Sequence, residues 1–402
     1  MAPGLSKRSL TLICLASASW AICFGVGTQL GTLWLKDHGA SNSTIGFNHA
    51  IYYLGLTLAS LAAPRLFRRF GIHCSTIGLL LSALSLAMFP WASGPIGWFG
   101  WRLVHGLAGA LSLIPLETLV SQHSAKEVRL RNFGFYTVAL TLGGALGLAM
   151  GPAIYEKSQM FGFYIGPMFP LLSALCLLGC PLSPACDSAE DSPGATDPLD
   201  WAGNVLNFGA GWCQGFLEGG LVAFLSLYLL SLGMSKDLSG VLMGVTMAGV
   251  IVVQVPIGWL ADRLGRKPVL LGCYAVVLLG LGLVPWCGAS VWVGVWLAIL
   301  GASSGALYPL GLALLGDRLR PGALVRAYSW FLALECIGSQ MGAAAMGEAR
   351  DRWGEASMFT VGLGAVGLVL AFALGTAWVQ GRRRRNLNEQ RGQSPLETRK
   401  VA

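Results

Sequence analysis

Glu218 is the most prominent ionisable residue of this sequence, because it stands near the middle of a long run of apolar residues. A charged group inside a membrane-spanning helix costs several kcal/mol unless it is paired or hydrated, so such a residue is a candidate for function. At about 100° per residue, Asn204, Asn207, Gly211 and Gln214 fall within about 40° of Glu218 and form one polar stripe. Burial favours the protonated form of a carboxyl group, so Glu218 is expected to bind and release a proton. A structural hydrogen bond to a neighbouring helix is the alternative.

Arg102 and His105 are the next candidate functional residues. They lie one helical turn apart in another apolar run. A guanidinium group can bind an anion through two parallel hydrogen bonds, or it can pair with a carboxylate such as Glu218 across a cavity. Fixed pairing with a polar group of a neighbouring helix is an equal alternative for Arg102. His105 can relay protons, and a packing role is the alternative for this residue.

Two further acids lie in apolar runs. Glu335 is near the middle of its run, and it is expected either to set substrate selectivity or to pair with another polar residue. Glu117 lies near the end of its run, close in sequence to Arg129 and Arg131. We expect these three residues to form a salt-bridge gate, with Asp317, Arg318 and Arg326 as its counterpart in the second half of the chain.

A charge-dense hairpin, G-W-L-A-D-R-L-G-R-K-P-V-L-L-G at 258–272, separates two apolar runs of membrane-spanning length. Its charged residues are Asp262, Arg263, Arg266 and Lys267. The pattern predicts a short loop at a membrane face.

The sequence gives no indication of a metal or a cofactor. Cys176, Cys180 and Cys186 cluster without a nearby His, and their spacing fits no common zinc pattern. No G-x-x-x-x-G-K-[ST] loop for a nucleotide occurs in the chain. We therefore expect neither a bound metal nor transport driven by ATP.

The composition indicates a membrane protein. Of the 402 residues, 54% are hydrophobic and 11% are charged, which is too few polar side chains to cover a soluble surface of this size. The chain also holds 55 glycines, which suit helices that pack closely in lipid.

Apolar windows of about 20 residues predict an all-α membrane protein with twelve transmembrane helices in two six-helix bundles. The helices are expected near 9–35, 43–64, 74–93, 97–121, 132–155, 161–180, 201–232, 238–261, 268–287, 290–316, 325–348 and 355–379. The predicted domains are an N-terminal bundle (1–180), a cytoplasmic linker (181–200), a C-terminal bundle (201–380) and a basic cytoplasmic tail (381–402).

An internal repeat supports this division. Leu33-Trp34-Leu35 with Gly39-Ala40-Ser41 recurs 194 residues later as Leu227-Tyr228-Leu229 with Gly233-Met234-Ser235. Parallel repeats are typical of transporters whose substrate site lies between the two bundles.

The distribution of Lys and Arg predicts the orientation. With the N-terminus in the cytoplasm, most basic residues fall in cytoplasmic segments, and the outer loops hold only Lys36, Lys157, Lys236, Arg350 and Arg352. We therefore expect a multi-pass protein of the cytoplasmic (inner) membrane, with both termini in the cytoplasm. The net charge of +8 is attributed to this bias and to a tail that contacts anionic lipid, so no nucleic-acid partner is expected.

Several stretches together resemble the major facilitator superfamily of secondary transporters. The hairpin at 258–272 matches its loop motif G-x-L-a-D-r-x-G-r-k; R-L-V-H-G-L-A-G-A (102–110) and G-L-A-M-G-P (147–152) resemble its motifs in helices 4 and 5. The segments I-P-L-E-T-L-V and F-L-E-G-G-L-V-A-F-L-S-L-Y-L further resemble a YcaD-like bacterial branch. One departure is that Arg68 stands in the first-half copy of the loop motif where Asp262 stands in the second. The resemblance implies that Asp262 helps to close the cytoplasmic side, and it puts the equivalent role in the first half in doubt.

The resemblance implies a monomeric secondary transporter, and not an enzyme, that moves a small organic solute by alternating access. Because the Gly147–Pro152 motif is associated with antiporters in the superfamily, proton-coupled efflux is the leading hypothesis. Proton-coupled uptake of a small metabolite, such as an anion bound by Arg102, is the alternative. A non-transporting sensor or a membrane-embedded enzyme is less favoured, since the linker and tail are too short and polar to fold as an output domain.

Overall fold

The computed structural model describes residues 6–71, 73–124, 128–178, 201–318 and 321–392, which form an all-α structure. Its helices are α1 (Lys7–Asp37), α2 (Asn42–Phe70), α3 (His73–Met88), α4 (Gly94–His123), α5 (Arg129–Lys157), α6 (Gln159–Ile165), α7 (Met168–Leu178), α8 (Val205–Ser231), α9 (Lys236–Leu264), α10 (Arg266–Leu283), α11 (Val291–Arg318), α12 (Pro321–Trp353) and α13 (Ser357–Gly392). The predicted linker 181–200 and the end of the predicted tail from residue 393 lie outside the described residues.

Ten segments of the described chain are helical, long and apolar enough to cross a membrane, with α6 and α7 counted together. The remaining long helices, α2 and α12, have 29 and 33 residues. Both carry polar residues along their length, and they pack against each other. A polar residue on a helix that packs against protein avoids lipid, which explains why a hydropathy criterion passes over these two helices.

The turns between the helices repeat along the chain. Glycines with positive φ occur as the pairs Gly39 and Gly233, Gly71 and Gly265, and Gly94 and Gly288, and the members of each pair are 194 residues apart. A positive φ is strained for residues other than glycine, so the same turns recur for the same stereochemical reason. We call the face of the molecule with the Gly39 turn the Gly39 side, and the opposite face, with the Gly265 turn, the Gly265 side.

Glycines bring the same helix pairs together in each half of the chain. In the first half, Gly143 and Gly147 of α5 lie against carbonyl oxygens of α1. In the second half, Gly215 and Gly219 of α8 lie against carbonyl oxygens of α12, and Gly338 of α12 lies against α8 in return. Small residues let backbones approach closely, so these contacts fix how each half packs.

Two close helix contacts between the halves lie on the Gly39 side. Gly46 of α2 lies against the carbonyl of Ala343 on α12, and Gly240 of α9 lies against the carbonyl of Ala149 on α5. Because α2 and α9 both begin on the Gly39 side, these contacts bring the two halves together there.

Three segments differ from the expected continuous helices. The helix expected at 161–180 is divided into α6 and α7 by a turn at Gly166 and Pro167. The helices expected at 74–93 and 268–287 end early, and each continues as a short 3-10 turn, Phe89–Trp91 and Val284–Trp286. Both turns contain a Pro-Trp pair, and proline cannot donate the hydrogen bond that continues an α-helix.

Candidate functional site

A cavity of about 360 Å³ lies in the middle of the molecule, between the two halves. The first half contributes residues of α1, α2, α4 and α5 to its wall, and the second half contributes residues of α8, α9, α11 and α12. Its volume is within the usual range for small-molecule sites, about 300–1,000 Å³. A cavity shared by both halves is the position expected for a substrate site in a transporter built from repeats.

The second-half wall carries two carboxylates, Glu218 on α8 and Glu335 on α12. The side-chain amide of Gln214 donates a hydrogen bond to Glu218 Oε2 over 3.4 Å, and the Cys336 thiol donates to Glu335 Oε2 over 3.6 Å. The two carboxyl groups are close enough for their charges to influence each other. Among the described residues, no Lys, Arg or His forms an ion pair with either acid.

The two acids meet because α8 and α12 approach closely. Gly215, one turn before Glu218 along α8, lies directly against the backbone carbonyl of Glu335. Gly219 lies against the carbonyl of Ser339, one turn further along α12. A side chain at either glycine would force the two helices apart.

The first-half wall is aromatic. Trp20 and Phe24 of α1 stack with their ring centroids 5.7 Å apart, and Phe24 lies 5.2 Å from the ring of Tyr52 on α2. Tyr53 also lines the cavity, and its hydroxyl is close enough to both carboxylates to interact with their charges. The two walls therefore differ in chemistry, with rings on one side and carboxylates on the other.

Arg102 and His105 lie behind the aromatic wall and are not among the residues that line the cavity. The Arg102 guanidinium donates to Thr28 Oγ1 over 3.3 Å and contacts Nδ1 of His49 at 3.3 Å. It also lies over the ring of Tyr52, 4.9 Å from its centroid, and 3.5 Å from Nδ1 of His105. Of the alternatives for Arg102, the described contacts correspond to pairing with polar groups of neighbouring helices, since they lie within its own half.

The polar stripe expected on α8 is divided along its length. Gln214 and Glu218 face the cavity, whereas Asn207 is buried, and its amide donates to Asn204 Oδ1 over 3.0 Å. The backbone of Asn207 lies against Gly311 of α11. Gln214 and Glu218 share the cavity face, as helical periodicity predicts, whereas α8 packs near Asn207 against another helix of the same half.

The cavity is closed on the Gly39 side by hydrogen bonds between the halves. Gln29 of α1 donates to the carbonyl of Val222 on α8 over 3.1 Å. Thr32 of α1 contacts His49 Nε2 at 2.8 Å and donates to the carbonyl of Ala223 over 3.4 Å.

A carboxylate at the end of α12 completes this closure. Asp351 accepts hydrogen bonds from the backbone N–H groups of Asn42 and Ser43, at the first turn of α2, and from both of their side chains. Ser43 Oγ also donates to Glu348 over 2.7 Å. The first N–H groups of a helix have no partner within the helix and favour an anion. We call the group formed by Asn42, Ser43, Glu348 and Asp351 the α2–α12 latch.

The predicted gating residues lie on the Gly265 side. Arg266 forms an ion pair with Asp317 over 2.6 Å and also donates to the carbonyl of Ala313. Asp317 was expected to form a gate with Arg318 and Arg326, and its described ionic partner is Arg266. The side chains of Arg129, Arg318 and Arg326 lie outside the described residues.

The other residues of this predicted gate are placed as follows. Asp262, Arg263 and Lys267 are exposed, and the guanidinium of Arg263 lies 3.8 Å from the ring centroid of Trp259. Glu117 is half-buried, and Arg131 is exposed. The side chain of Arg68, which replaces the acid in the first-half loop motif, also lies outside the described residues.

A sequence model described as Major Facilitator Superfamily matches residues 11–200 and 208–401, which is nearly the whole chain. The chain belongs to the Major Facilitator Superfamily. The superfamily groups membrane transporters and not enzymes, so the cavity between the halves is the candidate substrate site of an MFS-type transporter.

Relatives of known sequence support this membership. YfkF of Bacillus subtilis, an uncharacterized MFS-type transporter, is 27% identical over 364 residues, which cover 85% of this chain and 90% of YfkF. An uncharacterized MFS-type transporter of Yersinia enterocolitica is 27% identical over 385 residues, covering 92% of this chain and 95% of that protein. The YcaD-like branch stays a prediction.

Solved transporter structures share the fold. A mutant of the nucleoside transporter NupG aligns with a TM-score of 0.74 at 17% identity, covering 92% of this chain and 99% of that chain. A bacterial homologue of the human lysosomal transporter Spinster aligns with a TM-score of 0.74 at 13% identity, covering 92% of this chain and 96% of that one. At these identities the likeness concerns the fold alone.

Several residues that line this cavity could not be identified from the sequence. Phe24, Met243, Met247 and Thr246 line it, but apolar and small polar residues in an apolar helix do not differ in pattern from packing residues. Asp351 lies close to the end of its helix among other charges, so its contact with α2 requires the folded structure. The described residues contain no group of three or more His, Cys, Asp or Glu side chains that could hold a metal ion.

Proposed function

We propose that this chain is a secondary active transporter that moves a small organic solute by alternating access and exports it in exchange for protons. In this proposal it crosses the membrane twelve times, as six-helix bundles at 1–180 and 201–380. The segment 181–200 joins the bundles, and a basic tail follows at 381–402. The twelve crossings are the ten apolar spans together with α2 and α12.

The observation that carries the proposal is the cavity that both halves share, with Glu218 and Glu335 in its wall and without an ionic partner for them among the described residues. A carboxyl group inside a membrane protein is costly when charged, so it readily takes up a proton when its surroundings change. Glu218 is the proposed carrier of the coupling proton, with Gln214 as its hydrogen-bond donor.

The distribution of Lys and Arg supports an orientation in which the Gly265 side faces the cytoplasm. In this orientation both termini are cytoplasmic. The proposal further places the protein in the inner membrane, where it acts as a monomer. The hydrogen bonds of Gln29, Thr32 and Asp351 close the route to the outside in this conformation.

Gating in this proposal uses opposite ends of the molecule in turn. The α2–α12 latch breaks when the cavity opens to the outside. Two groups of charged residues then rearrange to close the cytoplasmic side. They are the hairpin residues Asp262, Arg263, Arg266 and Lys267, and the predicted gate of Glu117, Arg129 and Arg131.

Proton-coupled uptake of an anionic solute is the second candidate. It is favoured by Arg102, a buried cation whose described hydrogen-bond partners include no carboxylate. In that case Arg102 would have to leave Thr28 and His49 to reach the cavity. Export is preferred to uptake of an anion because the described residues that line the cavity are acidic, polar or apolar. None of them is a cation that would bind an anionic solute.

The test uses purified protein in liposomes that enclose a pH-sensitive dye. A panel containing uridine, benzoate and tetraphenylphosphonium supplies a neutral, an anionic and a cationic solute. At least one solute is expected to cause proton movement that requires the protein and that Glu218→Gln abolishes. Solute movement without proton movement, or an unaltered signal from Glu218→Gln, would refute the proposed coupling.

A further inference from the structure

The two walls of the cavity are complementary to a positively charged ligand. We infer that the cavity binds an organic monocation with an aromatic or apolar body, held between the carboxylates of Glu218 and Glu335 and the rings of Trp20 and Tyr53. This inference rests on the proposed transport function, since it names the class of solute that the same cavity accepts.

The polar groups of the second-half wall are mainly hydrogen-bond acceptors. Glu218 and Glu335 are close enough for their charges to interact, and like charges at short distance in a site of low dielectric repel each other strongly. Gln214 directs its amide nitrogen to Glu218, and its Oε1 is buried with no described hydrogen-bond partner. A ligand that brings positive charge and donor groups would satisfy all three side chains.

The described residues that line the cavity include no Lys, Arg or His. Arg102 is not among them, and it is held over the ring of Tyr52 by hydrogen bonds with Thr28 and His49. An anionic ligand in the cavity would face two carboxylates without a compensating cation in the described lining, so the structure disfavours that class.

The aromatic wall can stabilise the same positive charge. Cations are attracted to the faces of Trp, Tyr and Phe rings when they lie within about 6 Å of the centroid. Arg102 already lies over one face of Tyr52, 4.9 Å from its centroid, so the rings that this wall offers to a ligand are those of Trp20, Phe24 and Tyr53. The rings of Trp20 and Tyr53, together with Leu113 and Met247, leave a mostly apolar surface for the body of the ligand.

A cation and a proton would compete for the same carboxylates. When Glu218 and Glu335 are ionised, they attract the cation, and their protonation removes that attraction. Binding of a cation is therefore expected to weaken as the pH falls, and this competition would provide the exchange that the proposed antiport requires.

The experiment compares two ions of matched shape and opposite charge, tetraphenylphosphonium and tetraphenylborate. Binding to the purified full-length protein is measured by equilibrium dialysis in detergent, and binding to empty micelles is subtracted. Binding of the cation is expected, with an affinity that falls by about tenfold or more between pH 8 and pH 5.5, which corresponds to about 1.4 kcal/mol. Binding of the anion is expected to be at least about tenfold weaker at every pH.

Variants locate the binding. Glu218→Gln and Glu335→Gln are each expected to weaken cation binding by about tenfold or more and to reduce its pH dependence, whereas Glu156→Gln, at an exposed acid on α5, leaves both unchanged. Trp20→Leu is expected to weaken binding, and Trp292→Leu, at an exposed position, is its control. The comparison of the two ions on the unaltered protein decides the question even if a cavity variant does not fold.

The outcomes separate this inference from the proposed function. No binding of the cation, or equal or tighter binding of the anion, would overturn the inference, even where uridine or benzoate drives proton movement and the proposed function holds. Cation binding without solute-driven proton movement in liposomes would support the inference and refute the coupling.

Discussion

Gly215 of α8 lies directly against the backbone carbonyl of Glu335 on α12, so closely that a methyl group on Gly215 would overlap that oxygen. This contact sets the separation of the two helices that carry the cavity carboxylates. The absence of a side chain at Gly215 thus determines how the carboxylates of Glu218 and Glu335 are placed.

Gly215→Ala is therefore expected to destabilise the protein, because backbone atoms cannot rotate away as a flexible side chain can. Overpacking of this kind costs about 1–3 kcal/mol, and it should lower the thermal unfolding midpoint in detergent. Gly364→Ala is the matched control, since the added methyl group at that position meets no atom within 4 Å. Equal midpoints for the two variants would contradict the close contact of α8 and α12.

Arg102 provides a second prediction, because its planar guanidinium contacts Thr28, His49 and the ring of Tyr52 at the same time. Lysine cannot reproduce this arrangement, so Arg102→Lys is expected to cost about 1.5–3 kcal/mol, the usual contribution of a hydrogen bond to a charged group. Thermal unfolding measures the loss, with Arg69→Lys at an exposed position as control.

The same Arg102→Lys variant also distinguishes the two candidate functions. If Arg102 is structural, the preference for tetraphenylphosphonium over tetraphenylborate persists in the variant that remains folded. Loss of benzoate-driven proton movement, with the fold retained, would favour uptake of an anion by way of Arg102.

The α2–α12 latch gives a prediction about pH. Hydrogen bonds from Ser43 and the nearby charge of Arg352 lower the pKa of Glu348, at the water-exposed end of α12. Burial acts to raise the pKa of Asp351, but hydrogen bonds from Ser43 and Asn42 outweigh it, and that pKa is lowered. A lowered pKa means that the contribution of the ionised group is present at neutral pH and is lost only as the pH falls through the lowered value, below the usual range near 4.

Closure of the Gly39 side is therefore expected to be insensitive to pH between about 5.5 and 8. The reporter is Ser304→Cys, at a cavity position, in a background without the native cysteines, labelled by a membrane-impermeant thiol reagent from the Gly39 side. Asp351→Asn should increase labelling several-fold, because it removes charge at the start of α2, and the exposed Asp237→Asn should not. Labelling that rises steeply at mild acid in the parent would contradict this prediction, and persistence of the rise in Glu218→Gln would assign it to the closure and not to that cavity acid.

The ion pair of Arg266 and Asp317 is expected to contribute little to stability. Their side chains are 35% and 52% exposed, and exposed pairs contribute about 0–1 kcal/mol. A double-mutant cycle with Arg266→Ala and Asp317→Ala should give a coupling energy below about 1 kcal/mol in unfolding. A larger value would mean that the pair holds α10 against α11 as a structural element and not as a gate.

Much of the fold could be predicted from the sequence, because ten segments of the described chain are long and apolar and the turn glycines recur at a constant interval of 194 residues. The break between α6 and α7 could not, since Gly166 and Pro167 lie inside an apolar run that hydropathy treats as continuous. Periodicity brought Gln214 and Glu218 to one face correctly, and those two with Glu335 line the cavity.

Other parts of the site depend on tertiary packing. Asn207 shares the face of Glu218, but α11 covers it. Arg102 was as compatible with a cavity as with a structural role, and only the positions of Thr28, His49 and Tyr52 show which groups it contacts. The α2–α12 latch joins residues about 310 positions apart in the chain. No local sequence pattern therefore reveals it.

The central claim is that Glu218 couples proton movement to solute movement. The most direct measurement compares solute-driven proton flux in liposomes containing the parent protein, Glu218→Gln or Glu156→Gln, with tetraphenylphosphonium, uridine and benzoate as the solutes. The account predicts that at least one solute drives proton flux through the parent and through Glu156→Gln, and that this flux is at least about tenfold lower in a folded Glu218→Gln protein. Proton flux through Glu218→Gln equal to that of the parent would contradict the account.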